Sequence, residues 1–100
     1  AASDVYKRQV YMIDLNLSIL HNNTMRDERL KILAKNIKAE RIRKDLSQLD
    51  LALLVGVSSN TISQIEQIRQ TPSAFIVFDI ANALNIPVEE LFKNVPAKKD

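Results

Sequence analysis

The stretch from Ser47 to Glu66 constrains the fold more than any other part of the chain. Its apolar residues recur at helical spacing, stop at Gly56 and resume after it. Gly56 is the only glycine in the chain, and glycine readily takes the left-handed conformation in which helices end. Ser47 and Ser58 precede the two apolar runs, where their hydroxyls can accept an unpaired backbone N–H, and Asp50 can complete a capping box with Ser47. The stretch therefore predicts two short helices joined by a tight turn.

Each of these helices has one apolar side. Leu51, Ala52 and Val55 form the predicted buried stripe of the first helix, and Ile62 and Ile65 form that of the second. Ala52 falls where two helices that cross steeply over a short turn approach most closely, so the site requires a small side chain. The pattern is that of a helix-turn-helix.

The motif resembles that of the phage repressor/Cro family of bacterial regulators, also called the xenobiotic-response-element family. The matching residues are Ser47, Gln48, Leu51, Ala52, Val55, Gly56, Val57, Ser58, Thr61, Ile62, Ser63, Ile65 and Glu66. The likeness continues through Pro72-Ser73, Ile80-Ala81, Ala83-Leu84 and Val88 to Phe92, and covers about residues 30–92. It implies an all-α, five-helix lambda-repressor-like domain that binds double-stranded DNA.

Periodicity and capping residues predict helices over residues 27–44, 48–55, 59–67 and 72–84, and a short fifth helix from Pro87 to Phe92. Pro72 is placed at the first position of the fourth helix and Asn85 at its left-handed end. Ile68 stands where the family usually has glycine. Because a β-branched residue resists a positive φ, the third helix is expected to run longer, or the next loop to take another path.

The predicted DNA-binding domain spans residues 25–93, between an N-terminal extension (1–24) and a tail (94–100). Within residues 1–9, the run from Asp4 to Gln9 resembles the translation of a transposase-adapter end used in sequencing libraries, and the hypothesis is that this stretch is adapter read-through. In residues 10–24, apolar and polar residues alternate as in a strand, which would pair with its copy in a dimer or stay disordered. The competing interpretation is that the natural chain starts at Met25, with Met12 as the other candidate.

Composition argues against several classes of function. The chain has no cysteine and a single histidine, His21, so neither a disulfide framework nor a thiolate metal site is expected. No glycine-rich phosphate loop or catalytic constellation is visible, and an enzyme, a cofactor and a metal are therefore not expected. No apolar run is long enough to span a membrane, and no signal-peptide pattern is present, which favours the cytoplasm.

Positive charge is concentrated ahead of the motif. Between Met25 and Lys44, eight basic and three acidic residues give a local net charge of +5, against +2 for the whole chain. Such a run is often only a solvated face, but its position favours contact with DNA phosphates. The predicted phosphate contacts are Lys38, Arg41 and Arg69. The resemblance implies that Arg41 pairs with Glu66, and the alternative is that these are two unconnected surface charges.

The second helix of the motif carries small polar residues suited to reading bases. They are Ser58, Ser59, Asn60, Thr61, Ser63, Gln64 and Gln67. Amide side chains can bond to both N6 and N7 of adenine, and hydroxyls suit either bases or phosphates. By resemblance, base-edge positions are occupied by Ser58, Ser59, Asn60, Ser63 and Gln64, and a phosphate-clamping position by Gln48. The alternative is that these side chains only solvate an exposed helix. Because this helix carries no arginine, recognition of DNA shape would supply much of the readout.

The sequence thus predicts a transcriptional regulator, such as a restriction-modification controller protein or a Cro-like repressor, acting as a symmetric dimer on a palindromic operator. Leu91 and Phe92 are expected at the dimer seam, with Phe75 or Phe78. The alternative is an antitoxin or another protein-interaction module that docks a toxin or RNA polymerase through apolar helices, to which Leu53 and Leu54 would contribute.

Overall fold

The computed structural model describes residues 28–97, and its regular structure there is entirely helical, as the sequence predicts. The five helices are α1 (28–43), α2 (Gln48–Val55), α3 (Ser59–Glu66), α4 (Ala74–Leu84) and α5 (Val88–Leu91). The bounds of α2 are those predicted, and α3 is one residue shorter. None of the helices in this part of the chain is long and apolar enough to cross a membrane. The predictions for residues 1–24 lie outside the described residues.

The two helices of the motif begin at the predicted caps. The Ser47 hydroxyl accepts the N–H of Asp50 at 2.9 Å, and the Asp50 carboxylate accepts the N–H of Ser47 at 2.9 Å, which completes the capping box. The Ser58 hydroxyl accepts the N–H of Thr61 at 3.1 Å. Capping by these serines therefore fixes where α2 and α3 start.

The start of α4 differs from the prediction. The helix begins at Ala74 and not at Pro72, because Ser73 is its cap and accepts the N–H of Ile76 at 3.1 Å. A hydroxyl satisfies an otherwise unpaired N–H, whereas a proline at the first position only avoids leaving one unpaired. Pro72 accordingly precedes the cap.

Helices α1 to α4 end in the same way. A left-handed residue follows each helix, and the N–H of the next residue donates to the carbonyl five residues earlier, as in a Schellman motif. The left-handed residues are Asp45 (φ 60°), Gly56 (87°), Ile68 (63°) and Asn85 (58°). The donated bonds run from Leu46 to Arg41 (3.1 Å), Val57 to Ala52 (3.0 Å), Arg69 to Gln64 (2.8 Å) and Ile86 to Ala81 (3.0 Å). Gly56 and Asn85 thus have their predicted conformations.

The end of α3 overturns the expectation for Ile68. The helix stops at Glu66, and the turn closes with Ile68 itself in the left-handed region. A left-handed conformation costs an L-residue about 1–2 kcal/mol. The two bonds of the turn, from the N–H groups of Ile68 and Arg69 to the carbonyls of Ile65 and Gln64, hold it there. The hydrogen bonds of this helix end therefore outweigh the preference of Ile68 for a negative φ.

The core is built from apolar residues of all five helices. Its buried members are Leu33, Ile37, Leu51, Ala52, Ile62, Ile65, Val77, Ile80, Ala81, Leu84 and Leu91. Helix α2 packs against α3 and α4, and α4 packs against α5. Leu46, Val57 and Ile86, which follow the left-handed residues of three helix ends, pack against this core. Val95, within the segment predicted as a tail, also packs against it.

Helix α5 is fastened to α1 in a way that corrects the prediction for Leu91. The Asn36 amide donates to the carbonyls of Leu91 at 2.9 Å and Lys93 at 2.8 Å. Leu91 is completely buried in the core, so it cannot lie at a dimer seam. The sequence suggested an apolar surface at α5, but this helix of one turn uses its last residue, Leu91, for its own attachment to the core.

Candidate nucleic-acid interface

Helix α3 presents a polar face opposite its buried side. Ile62 and Ile65 point into the core, and the side chains on the other side follow the spacing i, i+3, i+4 and i+7. We call these residues the outer stripe: Asn60, Ser63, Gln64 and Gln67. Asn60 and Gln67 are exposed, and Ser63 and Gln64 are half-buried. The stripe offers only hydroxyl and amide groups, which can both donate and accept hydrogen bonds.

Two of the predicted base-edge residues flank the stripe at its start. Ser59 is exposed in the first turn of α3. Ser58 is the helix cap, and besides accepting the N–H of Thr61 its hydroxyl lies 3.0 Å from the Thr61 hydroxyl. The structure therefore gives Ser58 a structural task, whereas Ser59 remains open to a ligand.

Gln67 belongs to the outer stripe, although the resemblance assigned it no base-edge position. It is the residue directly after α3, seven positions beyond Asn60, which brings it to within about 20° of the same direction. Its amide nitrogen donates to the Ser63 hydroxyl at 2.8 Å. The seven-residue spacing was the signal in the sequence that could have found it.

Glu66 joins three helices through buried hydrogen bonds. Its carboxylate accepts from Arg41 Nε at 2.7 Å and from Arg41 Nη2 at 3.0 Å, which is the predicted ion pair. It also accepts from Gln48 Nε2 at 3.0 Å. Only 10% of the Arg41 side chain and 3% of the Glu66 side chain are exposed. We call Arg41, Gln48 and Glu66 the anchoring cluster, because it fixes the end of α3 to α1 and α2.

The anchoring cluster changes the placement of two predicted DNA contacts. Arg41 Nη1 donates to the carbonyl of Leu46 at 2.7 Å, so all three guanidinium nitrogens have protein partners. The amide nitrogen of Gln48 is directed to Glu66 and not outward. Both side chains are therefore placed to position α3. A phosphate contact by either remains a prediction.

The other two predicted phosphate contacts, Lys38 and Arg69, are exposed. Lys38 lies one turn before Arg41 on the same side of α1, and Arg41 reaches the end of α3. Arg69 follows that same end, where its N–H donates to the Gln64 carbonyl. Each cation thus lies three residues from a member of the anchoring cluster, Lys38 from Arg41 and Arg69 from Glu66.

Charge elsewhere near the motif serves the fold. The Arg43 guanidinium donates to the largely buried Glu40 carboxylate at 2.8 Å. The backbone N–H of Ser47 and then its hydroxyl hold the pKa of Asp50 below its ordinary value. Among residues 28–97, no group of three or more acidic, histidine or cysteine side chains is arranged to hold a metal ion.

An apolar groove lies between α4 and α5. The residues that line it come later in the sequence than the outer stripe. It has a volume of about 490 Å³ and is lined by Ala74, Phe75, Val77, Phe78, Val88 and Phe92. Phe75 is 81% exposed, Phe78 54% and Phe92 44%. Helix α2 carries a second apolar surface formed by Leu49, Leu53 and Leu54.

Comparison with known proteins identifies the class to which this fold and site belong. A helix-turn-helix family model matches residues 37–91, more than half of the chain. The chain therefore belongs to the Cro/C1-type helix-turn-helix family, and the predicted resemblance is confirmed.

Individual relatives support this assignment. The chain is 36% identical over 61 residues to the uncharacterized HTH-type transcriptional regulator YazB of Bacillus subtilis, covering 61% of this chain and 88% of YazB. It is 35% identical over 60 residues to the uncharacterized HTH-type transcriptional regulator MJ0272 of Methanocaldococcus jannaschii, covering 60% of this chain and 91% of MJ0272. The crystal structure of the restriction-modification controller protein C.AhdI from Aeromonas hydrophila matches with a TM-score of 0.62 and 30% identity, over 63% of this chain and 96% of C.AhdI.

These findings establish a DNA-binding fold of the helix-turn-helix transcriptional regulators. The family and its relatives are regulators and not enzymes, as predicted.

Proposed function

We propose that this chain regulates transcription as a symmetric dimer on a palindromic operator, with α3 lying in the major groove of each half-site. The observation that carries the proposal is the outer stripe together with the anchoring cluster behind it. Hydrogen-bonding side chains cover the outside of α3, while buried bonds from Arg41 and Gln48 to Glu66 hold its end rigidly. A rigid helix with an outward donor and acceptor surface suits the reading of base edges.

In this arrangement, base-edge contacts come from Ser59, Asn60, Ser63 and Gln64, with Ser58 at the helix start. Lys38 and Arg69, the two exposed cations of the predicted set, contact phosphates. Gln48 approaches the backbone through the first N–H groups of α2, since its side chain is occupied by Glu66. Phosphate contacts orient the domain and base contacts select the sequence.

The dimer forms through the groove between α4 and α5, with Phe75, Phe78 and Phe92 at the seam. Three exposed aromatic side chains around one groove form an apolar surface that a domain of this size gains by covering. The proposal requires a two-fold axis there to present two copies of α3 to successive half-sites. The similarity to C.AhdI favours a controller protein, or a Cro-like repressor, among possible regulators.

Two measurements test this proposal. Selection from a random duplex library should yield a palindromic motif with half-sites about one helical turn apart. Sedimentation with and without the selected DNA should show a dimer at tens of micromolar. A Phe75→Ser, Phe92→Ser variant should dissociate and lose the palindrome while keeping its helical content. A monomeric wild type, or one that selects no sequence, would contradict the proposal.

One observation favours a second role in protein docking. Leu49, Leu53 and Leu54 leave the side of α2 away from the core apolar and exposed. A toxin could cover such a surface if the chain is an antitoxin, and an RNA polymerase subunit is the other candidate. The three similar proteins give no support to either partner. Tight binding of a protein by a chain that is indifferent to DNA would favour this alternative. Localisation in the cytoplasm stays a prediction.

A further inference from the structure

The hydrogen bond between Gln67 and Ser63 has a consequence for what the end of α3 can recognise. Gln67 Nε2 lies 2.8 Å from the Ser63 hydroxyl oxygen and donates to it. A serine hydroxyl carries one proton of its own, so Ser63 keeps that proton for donation elsewhere. The Gln67 carbonyl oxygen keeps its capacity to accept. The Gln67 amide also keeps its second N–H. The two linked side chains therefore present donors beside an acceptor, and only a base that offers both an acceptor and a donor pairs with both kinds of group.

This complementarity survives a change in the direction of the bond. If Ser63 donates to the Gln67 carbonyl, the serine oxygen becomes the free acceptor and the Gln67 amide nitrogen the free donor. Both directions pair a donor with an acceptor on neighbouring positions of the outer stripe. A lone serine or a lone glutamine would sample many orientations, but the bond between them fixes their relative positions and reduces the entropy lost on binding.

We propose that Gln67 is a specificity-determining residue that acts with Ser63 to read adenine at the position facing the end of α3. Adenine alone among the bases offers in the major groove an acceptor, N7, beside a donor, the N6 amino group. Guanine presents two acceptors there, cytosine only a donor, and thymine an acceptor beside a methyl group. The inference rests on the proposed function, since it requires α3 to lie in the major groove.

The test compares the motifs selected by the full chain and by two glutamine variants. Gln67→Ala should erase the preference for one adenine in each half-site, by about fivefold to a hundredfold, and leave the other positions intact. Gln70→Ala is the matched control, because Gln70 is an exposed glutamine in the loop beyond α3. It should select the wild-type motif. Both variants should melt near the wild-type temperature, since both side chains are exposed.

A second measurement separates base reading from phosphate binding. Replacing that adenine with 7-deazaadenine removes the N7 acceptor and should weaken the wild type about fivefold or more, but leave the affinity of a Ser63→Ala, Gln67→Ala double variant unchanged, since either residue can supply the donor to N7. An unchanged motif in Gln67→Ala, or an equal loss on all sequences, would overturn the inference alone. A wild type that selects no motif would instead overturn the proposed function as well, and that result would appear before any variant is made.

Discussion

Replacing Ile68 with glycine should stabilise this domain. Ile68 has a φ of 63°, a conformation that a β-branched residue resists and glycine adopts freely. Its side chain is half-buried, but it is not among the described side chains that pack against the core. The substitution therefore removes backbone strain without opening a cavity in the core.

The size of the effect follows from two opposing terms. Relief of the left-handed conformation is worth about 1–2 kcal/mol. Glycine also has greater conformational freedom in the unfolded chain, which lowers the free energy of unfolding by about 0.4–1 kcal/mol. The difference is a net gain of about 0–1.6 kcal/mol in the free energy of unfolding, and its midpoint of about 0.8 kcal/mol raises Tm by roughly 3–6 °C for a domain of this size.

Thermal and urea denaturation followed by circular dichroism measure the gain, and two further variants test its cause. Ile68→Val keeps the β-branch and should remain close to the wild type. Gly56→Ala is the reverse experiment, because Gly56 has a φ of 87° and an added Cβ would meet nothing within 4 Å. It should lose about as much as Ile68→Gly gains, through strain alone. If Ile68→Gly is no more stable than Ile68→Val, strain at this turn is not a significant term.

Three further predictions concern DNA binding and the capping box. Asn60→Ala or Gln64→Ala should cost about 1–3 kcal/mol on the selected operator and little on random DNA, and equal losses in a gel shift would assign these amides to phosphates. Lys38→Ala should weaken binding to all sequences and make the slope of log K against log salt shallower by roughly 0.9, so an unchanged slope would exclude a phosphate contact. Asp50→Ala should reduce stability at pH 7. Because the folded-state pKa of Asp50 is lowered, its contribution is present above the ordinary pKa and disappears as the pH falls below about 4. Urea unfolding of both proteins at pH 7 and pH 3 should show the difference shrinking in acid.

Much of the fold was predictable because its helix ends are encoded locally. Ser47, Asp50 and Ser58 are short polar residues just ahead of apolar runs, and each makes the bond that its position predicts. Gly56 and Asn85 end helices for equally local reasons. Ile68 escaped prediction because its conformation is imposed by two hydrogen bonds across the turn, against its own preference.

The direction of side chains was less predictable than the positions of helices. Leu91 and Phe92 are adjacent apolar residues, yet one is completely buried and the other 44% exposed. Asn36 stood as a lone amide within the apolar side of α1, but its bonds to carbonyls more than fifty residues away depend on how α5 docks. Sequence periodicity identifies the side of a helix that is buried. It does not identify the distant residue that a given side chain contacts.

The same distinction governs what the positive charge of α1 can do. The basic run counted from the sequence treats every cation as free to meet DNA, but Arg41 is bound to Glu66 and Leu46, and Arg43 to Glu40. Removing one partner of a buried pair typically costs about 3–5 kcal/mol, so Arg41 is worth more to the position of α3 than a surface phosphate contact would be. We therefore expect affinity for the DNA backbone to come chiefly from exposed cations such as Lys38 and Arg69. Buried charge beside α3 is therefore expected to fix the position of this helix. Exposed charge is expected to set how steeply DNA binding depends on salt.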